Sequence, residues 1–283
     1  MAPPPSFSDL GRQARDVFSK GYNFGLWKLD CKLKTESGLQ FSTGGHSNND
    51  TGKVFGSLET KSKINDYGLT ISEKWTTHNM LYTDITHTDK FIQGLKLIFE
   101  GSFSPQSGNK NGKVKASFSH DHFKTDTDMN INLAGPLITV SNVVGYGAWL
   151  FGSQHVFDCQ KAKLFGTQCA IGYVGKEFVV HTNLSDGTEY SGSIFHKVSP
   201  SLSTGIQLSW SARNNTTKIG IAGKYNLDEN ITLRGKIHNN SLIGLGYQQK
   251  LHERITLTLS TLIDAKNFNA GGHKLGFALE VEA

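Results

Sequence analysis

From Leu26 to the carboxyl end, apolar and polar residues alternate with a period of two, and no other feature restricts the fold so tightly. Trp27, Leu29, Cys31 and Leu33 share one face of a strand, while Lys28, Asp30, Lys32 and Lys34 share the other. Leu95, Leu97, Phe99 and Phe103 oppose Lys96, Glu100 and Ser102 in the same way. Ile219, Ile221 and Tyr225 oppose Lys218 and Lys224, and Ile231, Leu233 and Ile237 oppose Thr232, Arg234 and Lys236. The last run places Leu275, Phe277, Leu279 and Val281 on one face. Turn-forming clusters such as Glu36-Ser37-Gly38, Asn48-Asn49-Asp50 and Asp228-Glu229-Asn230 separate the runs.

Run length selects among the β architectures. Stretches of about ten alternating residues with short turns match a tilted transmembrane strand of roughly 9–11 residues, whereas sandwich strands average about five or six. At about 13 residues per strand and turn, the chain after Gly25 holds roughly 18–20 strands. A barrel of that size leaves an aqueous channel, so its polar face is satisfied by water, and closure pairs every backbone group in the lipid. A mean hydropathy of −0.34 is the value of a soluble protein, but it is also what a barrel wet on one face gives. No window reaches 18 consecutive apolar residues, so no transmembrane helix is expected. The start, Met-Ala-Pro-Pro-Pro, lacks the basic and apolar regions of a secretory signal. Three cysteines without zinc spacing, an odd number, point to a reducing compartment.

Residues 1–25 read differently, as an amphipathic helix and a glycine hinge, with the barrel over 26–283. Between Ser6 and Lys20, Leu10, Ala14, Val17 and Phe18 form one apolar stripe, and Arg12, Arg15, Asp16, Ser19 and Lys20 lie opposite. Ser6 and Asp9 have capping-box spacing, and Gly21 and Gly25 flank a break. Such a segment is too short to span a bilayer and needs a wall to lie against, for which Val143 and Leu150 are candidates. A membrane-surface anchor is an alternative; a presequence is disfavoured by Asp9 and Asp16.

Several segments, in order along the whole chain, carry a family resemblance. They include Asp9-Leu10-Gly11, Lys20-Gly21-Tyr22, Gly56-Ser57-Leu58-Glu59-Thr60-Lys61, Asp66-Tyr67-Gly68-Leu69-Thr70, Asn240 to Tyr247 and Asn269-Ala270-Gly271-Gly272-His273-Lys274. The chain resembles the eukaryotic mitochondrial porins, the voltage-dependent anion channels. Glu229, Ile231 and His238 depart from the family signature, which bears on isoform and nucleotide contacts. The resemblance implies an all-β transmembrane barrel of nineteen strands, the odd number documented for this porin rather than one obtained from the division above. With an odd count the first and last strands must pair parallel, so Lys28–Lys34 and Leu275–Val281 would meet at a seam. It also implies that the amphipathic helix lies inside the pore. Lys274-x-Gly276-x-x-Leu279-x-Val281 reads either as the sorting signal of outer-membrane barrels or as an ordinary amphipathic strand.

With the polar face taken as the lumen, Lys28, Lys32, Lys34, Lys218, Lys224, Arg234 and Lys236 are the candidate selectivity charges. Lys113 and Lys115 add two more, while Asp126 and Asp128 offset Lys124. Fixed positive charge around a wet lumen enriches anions over a Debye length of ~8 Å, giving weak selectivity in a wider hole. Arg12, Arg15 and Lys20 offer forks and a point charge to phosphate. By resemblance, Arg12 and Lys20 match nucleotide-contacting positions. Dinucleotide contacts would fall on Leu242, Ile243 and Gly244, and on Ser260, Thr261, Leu262, Ile263 and Asp264.

Glu73 shares its strand face with Leu69, Ile71 and Trp75, so parity puts a carboxylate on the lipid side unless a bulge turns it inward. By resemblance this position is linked to gating, to phospholipid and ceramide contact and to hexokinase docking. His120-Asp121-His122 reads as a turn cluster rather than a metal site, and no catalytic motif or cofactor signature is present. The expected protein is therefore not an enzyme. The resemblance implies a voltage-gated, weakly anion-selective channel of the mitochondrial outer membrane, passing ATP, ADP, phosphate and small organic anions by diffusion. ATP, ADP and NADH would be permeants or weak ligands, apoptosis regulators are further partners by resemblance, and a homo-oligomer is open; no nucleic acid is required. Two rivals are a membrane docking platform with conduction secondary, and a soluble β-barrel or sandwich binding protein.

Overall fold

The computed structural model describes residues 3–36, 38–88, 92–131, 135–269 and 271–283. Ser37 and Ala270, which fall in an expected turn and in a segment carrying the resemblance, lie outside them. Among the described residues, nineteen strands follow one short α-helix. They are β1 (Leu26–Lys34), β2 (Gln40–Asn48), β3 (Val54–Ile64), β4 (Leu69–Thr76), β5 (Leu81–Thr88), β6 (Leu95–Phe103), β7 (Lys110–Ser119), β8 (Phe123–Ile131), β9 (Leu137–Tyr146) and β10 (Trp149–Asp158). The series continues with β11 (Lys163–Val174), β12 (Phe178–Ser185), β13 (Glu189–Lys197), β14 (Leu202–Ser211), β15 (Thr216–Asn226), β16 (Ile231–His238), β17 (Leu242–His252), β18 (Ile255–Asp264) and β19 (Lys274–Glu282).

All belong to one sheet, and β1 joins its two ends by pairing with both β2 and β19. The closing ladder is parallel, with Trp27 opposite Phe277 and Lys32 opposite Glu282, as an odd strand count demands. The neighbouring β18–β19 ladder is antiparallel.

The chain divides into two compact units, residues 1–10, 33–43 and 56–171, and residues 11–32, 44–55 and 172–283. In the first, Trp75 and Phe99 are at least half exposed, and Lys113, Lys115, Asp126 and Asp128 occupy the opposite face. In the second, Trp27 and Ile221 are each 59% exposed, while Ala222, Ala278, Thr258 and Ser260 are buried on the other face. Large apolar side chains outside and small or polar ones beneath is the inverse of a water-soluble core. It suits a sheet whose apolar face meets acyl chains.

The amino-terminal segment departs from the single helix expected over Ser6–Lys20. Phe7–Asp9 forms one 3₁₀ turn, and the α-helix, α1, covers only Arg12–Ser19. Gly11, at φ +68°, makes the break between them, a left-handed conformation costly for any residue with a Cβ. Ser6 does not cap a backbone N–H; its Oγ donates to Asp9 Oδ2 at 2.6 Å. The break splits the apolar stripe. Phe7 and Leu10 pack on Val143, Ala170 and Leu150 in the first unit. Val17 and Phe18 pack on Ala222 and Phe195 in the second. The expected wall patch therefore receives Leu10 but not the rest of the stripe, and Phe7 was not anticipated.

Candidate functional site

The pleat sorts the strand residues of each unit, and α1 lies against the polar face of β13, β14 and β15. Behind it, the chain from Lys20 to Gly25 is held at several points. Asn23 N–H donates to Ser260 Oγ at 3.0 Å, and Gly25 N–H donates to Leu275 C=O at 3.0 Å. Asn49 N–H in turn donates to Gly25 C=O at 2.9 Å, while Lys274 pairs with Asp50. The wall beneath carries no side chain where the hinge comes closest. A Cβ on Gly276 would sit 1.8 Å from the Asn23 carbonyl oxygen, and one on Gly246 would sit 2.7 Å from that of Gly21. Alternation cannot flag these wall glycines, because a glycine fits either face of a strand.

Tyr22, between helix and β1, is part of this seat. Burial pushes its phenol up to about 12, with the Arg234 guanidinium opposing the shift. An unburied phenol ionises near ~10, so the seated state keeps a proton that the released chain has lost between those values. Stability of the seat is complete below pH ~10 and falls as pH rises through the higher value. The tyrosinate absorbance difference between wild type and Tyr22→Phe should accordingly titrate near 12. Titration of that difference near ~10 would rule out a buried phenol.

Charges on the polar faces divide into paired and unpaired sets. In the first unit Lys113 lies 3.1 Å from Asp128, and Lys115 pairs with Glu100, so both polar-face lysines have a carboxylate beside them. In the second, Lys28 is 2.5 Å from Asp30 and Lys32 is 2.9 Å from Glu282. Lys34 ends β1 on the same face by alternation. Among the described residues, Lys218, Lys224, Arg234 and Lys236 make no ion pair within 4.0 Å. Lys236 instead donates to the Phe18 carbonyl at 2.7 Å. On the helix, Asp16 Oδ2 accepts Lys20 at 2.7 Å and faces Arg12 at 3.9 Å, and Arg15 is an electrostatic neighbour of His181.

The residues matched to dinucleotide contacts are ladder neighbours that point both ways. Leu242 opposes Asp264, Ile243 opposes Ile263 and Gly244 opposes Leu262. Gly244 and Ser260 are buried on the polar face, whereas Leu245 and Leu259 are exposed on the other. Alternation therefore puts Leu242, Gly244, Ser260, Leu262 and Asp264 on the polar face, and Ile243, Thr261 and Ile263 on the apolar one. Asp264 caps the following turn, accepting from the backbone N–H groups of Lys266 and Asn267 at 3.0 and 3.2 Å.

Glu73 lies between Thr60 and Thr83 in unbroken ladders, on the face that carries Trp75 and, across the strands, Leu58 and Ile85. No bulge turns it inward, and it makes no hydrogen bond or ion pair among the described residues. His120 and His122 flank a turn, with ring centroids 6.4 Å apart and His120 stacked on Phe123.

A sheet whose strand pairing closes through β1, with one apolar and one charged face and a helix laid against the charged face of β13 to β15, defines a membrane-spanning β-barrel of the porin class. The profile of the eukaryotic porins matches residues 3–276, and the chain belongs to that family. It is 59% identical to the "Voltage-dependent anion-selective channel" of Drosophila melanogaster over 99% of both chains. It is 50% identical to the human "Non-selective voltage-gated ion channel VDAC1" over the full length of both. A solved mutant of Rh. blastica porin superposes with a TM-score of 0.51 at 10% identity, covering 78% of this chain and 95% of that one, a likeness of fold alone. Membership makes the chain a channel-forming porin and not an enzyme.

Proposed function

We propose that this porin is a voltage-gated, weakly anion-selective channel of the mitochondrial outer membrane. It passes ATP, ADP, phosphate, small organic anions and inorganic ions by diffusion. The observation that carries this reading is the set of inner-face cations without ion pairs among the described residues, Lys218, Lys224, Arg234 and Lys236, in a sheet that closes on itself. A polyvalent anion gains most from such a field, and the field decays over ~8 Å, so a wide lumen discriminates weakly. The relatives' names, one anion-selective and one non-selective, bracket a weak preference. Arg12, Arg15 and Lys20 supply phosphate contacts, with Leu242–Gly244 and Ser260–Asp264 as a weaker dinucleotide surface. Single-channel recording in a planar bilayer under a salt gradient tests this. Voltage-dependent steps with a reversal potential on the anion side are expected, and a silent bilayer or an ohmic, cation-preferring pore would sink it.

Glu73 is the proposed contact for phospholipid, ceramide, hexokinase or a second copy of the chain, and apoptosis regulators would dock on the same membrane-embedded molecule. A carboxylate at membrane depth costs roughly 2–3.5 kcal/mol. Glu73→Gln should therefore raise the thermal stability of the barrel in lipid by up to about that amount. It should also change the yield of cross-linked oligomer in lipid. A yield equal to that of wild type rules Glu73 out as the contact between copies.

A further inference from the structure

Lys236 stands at an even position of β16, on the inner face with Arg234 and His238, and its ladder partners are Ala222 and Gly244. Neither partner fills the space above it, and a Cβ on Gly244 would lie 3.0 Å from the Lys236 Cε and 2.7 Å from Phe24 Cζ. The ammonium therefore reaches the helix and the hinge together. Helix α1 ends at Ser19, leaving its last carbonyls without intrahelical partners. Lys20 N–H satisfies Asp16 C=O at 3.0 Å and Ser19 Oγ satisfies Arg15 C=O at 2.7 Å. The Phe18 carbonyl is taken by Lys236 Nζ at 2.7 Å, a cation on the negative end of the helix dipole. The same Nζ lies 4.2 Å from the Tyr22 ring centroid and 5.0 Å from that of Phe24, within cation–π range of both.

We propose that Lys236 is a positioning residue for gating, a latch that ties the end of α1 and both hinge aromatics to the wall. This rests on the voltage-gated reading above. Its three contacts all belong to helix and hinge, with no carboxylate among them, so they are made together and lost together. Release of the segment returns the ammonium to water. The latch thus sets how readily the segment leaves the wall, and with it the voltage at which the pore closes.

The test uses the full chain refolded into lipid, read by hydrogen exchange of the Arg12–Ser19 amides and by half-closing voltage in a planar bilayer. Lys236→Met should speed that exchange about tenfold and lower the half-closing voltage. Lys236→Arg, which keeps cation and donor, should restore both to within about twofold. Lys218→Gln removes an equal charge from the neighbouring strand and should leave helix exchange at the wild-type rate. Phe24→Leu keeps the charge and loses one ring, so it should speed exchange less than Lys236→Met, and it carries the test if that variant does not refold. Wild-type exchange and gating in Lys236→Met, a Lys218→Gln effect of the same size on the helix, or no rescue by arginine overturns the latch. A wild-type chain without voltage-dependent conductance overturns the channel reading instead, and the exchange series still judges the contact.

Discussion

Reversing Lys218 and Lys224 together to glutamate should turn an anion-preferring pore into a cation-preferring one. Both lie on the inner face of β15, opposite Ser209 and Ser203, and neither has an ion pair among the described residues. Lys224 also lies in the field of Arg234 and Lys20, so its reversal acts on cations of both the neighbouring strand and the helix. Each exchange moves the net charge by two units from its value of +5. Surface potentials of a few kT change local ion concentrations by an order of magnitude in either direction, less in a lumen several Debye lengths across. The anion-to-cation permeability ratio should therefore fall at least about twofold and pass below one. Raising the salt concentration should shrink the difference from wild type. A reversal potential that does not move, at low salt, would mean that permeating ions do not sense this strand.

Gly276→Val should release the hinge. Its side chain would need the volume that the Asn23 carbonyl occupies, and the neighbour there is backbone, which cannot rotate away. Ser260 Oγ, which accepts the Asn23 N–H, lies only 2.6 Å from the same Cβ position. Overpacking of this kind costs about 1–3 kcal/mol, corresponding to roughly 5–150-fold faster exchange of the helix amides if relief comes by undocking. Gly276→Ala should act in the same direction. Gly276 also belongs to the carboxyl-terminal segment that reads as a sorting signal, so refolded protein separates docking from insertion in cells. Helix exchange at the wild-type rate in a correctly folded Gly276→Val barrel would show that the hinge does not rest on β19.

The strand periodicity was enough for much of this molecule. Alternation from Trp27 onward predicted which side chains face outward, and the same parity put Glu73 beside Trp75, where no bulge intervenes. The family resemblance supplied the number nineteen, and an odd count then required the parallel seam of Trp27–Lys32 with Phe277–Glu282. Lys28 and Asp30 share a face two residues apart, so their pairing could have been inferred from alternation as well.

What remained hidden depends on distances along the sheet normal and across strands. Lys113 meets Asp128, and Lys115 meets Glu100, because two neighbouring ladders adopt particular registers. The hydrophobic pattern sets only the parity of such registers. The helix broke at Gly11 because Phe7 and Leu10 find one wall cluster while Val17 and Phe18 find another. Alternation gives Lys236 its inner face but not its contacts with Phe18, Tyr22 and Phe24, which lie more than 200 residues away in the chain. Sequence by itself determined the strands and the two faces of each, since a two-residue period is a property of neighbouring residues. Tertiary structure alone decided which cations find carboxylates and where helix and hinge rest, since those contacts join residues as far apart as Asn23 and Ser260 that no local rule relates.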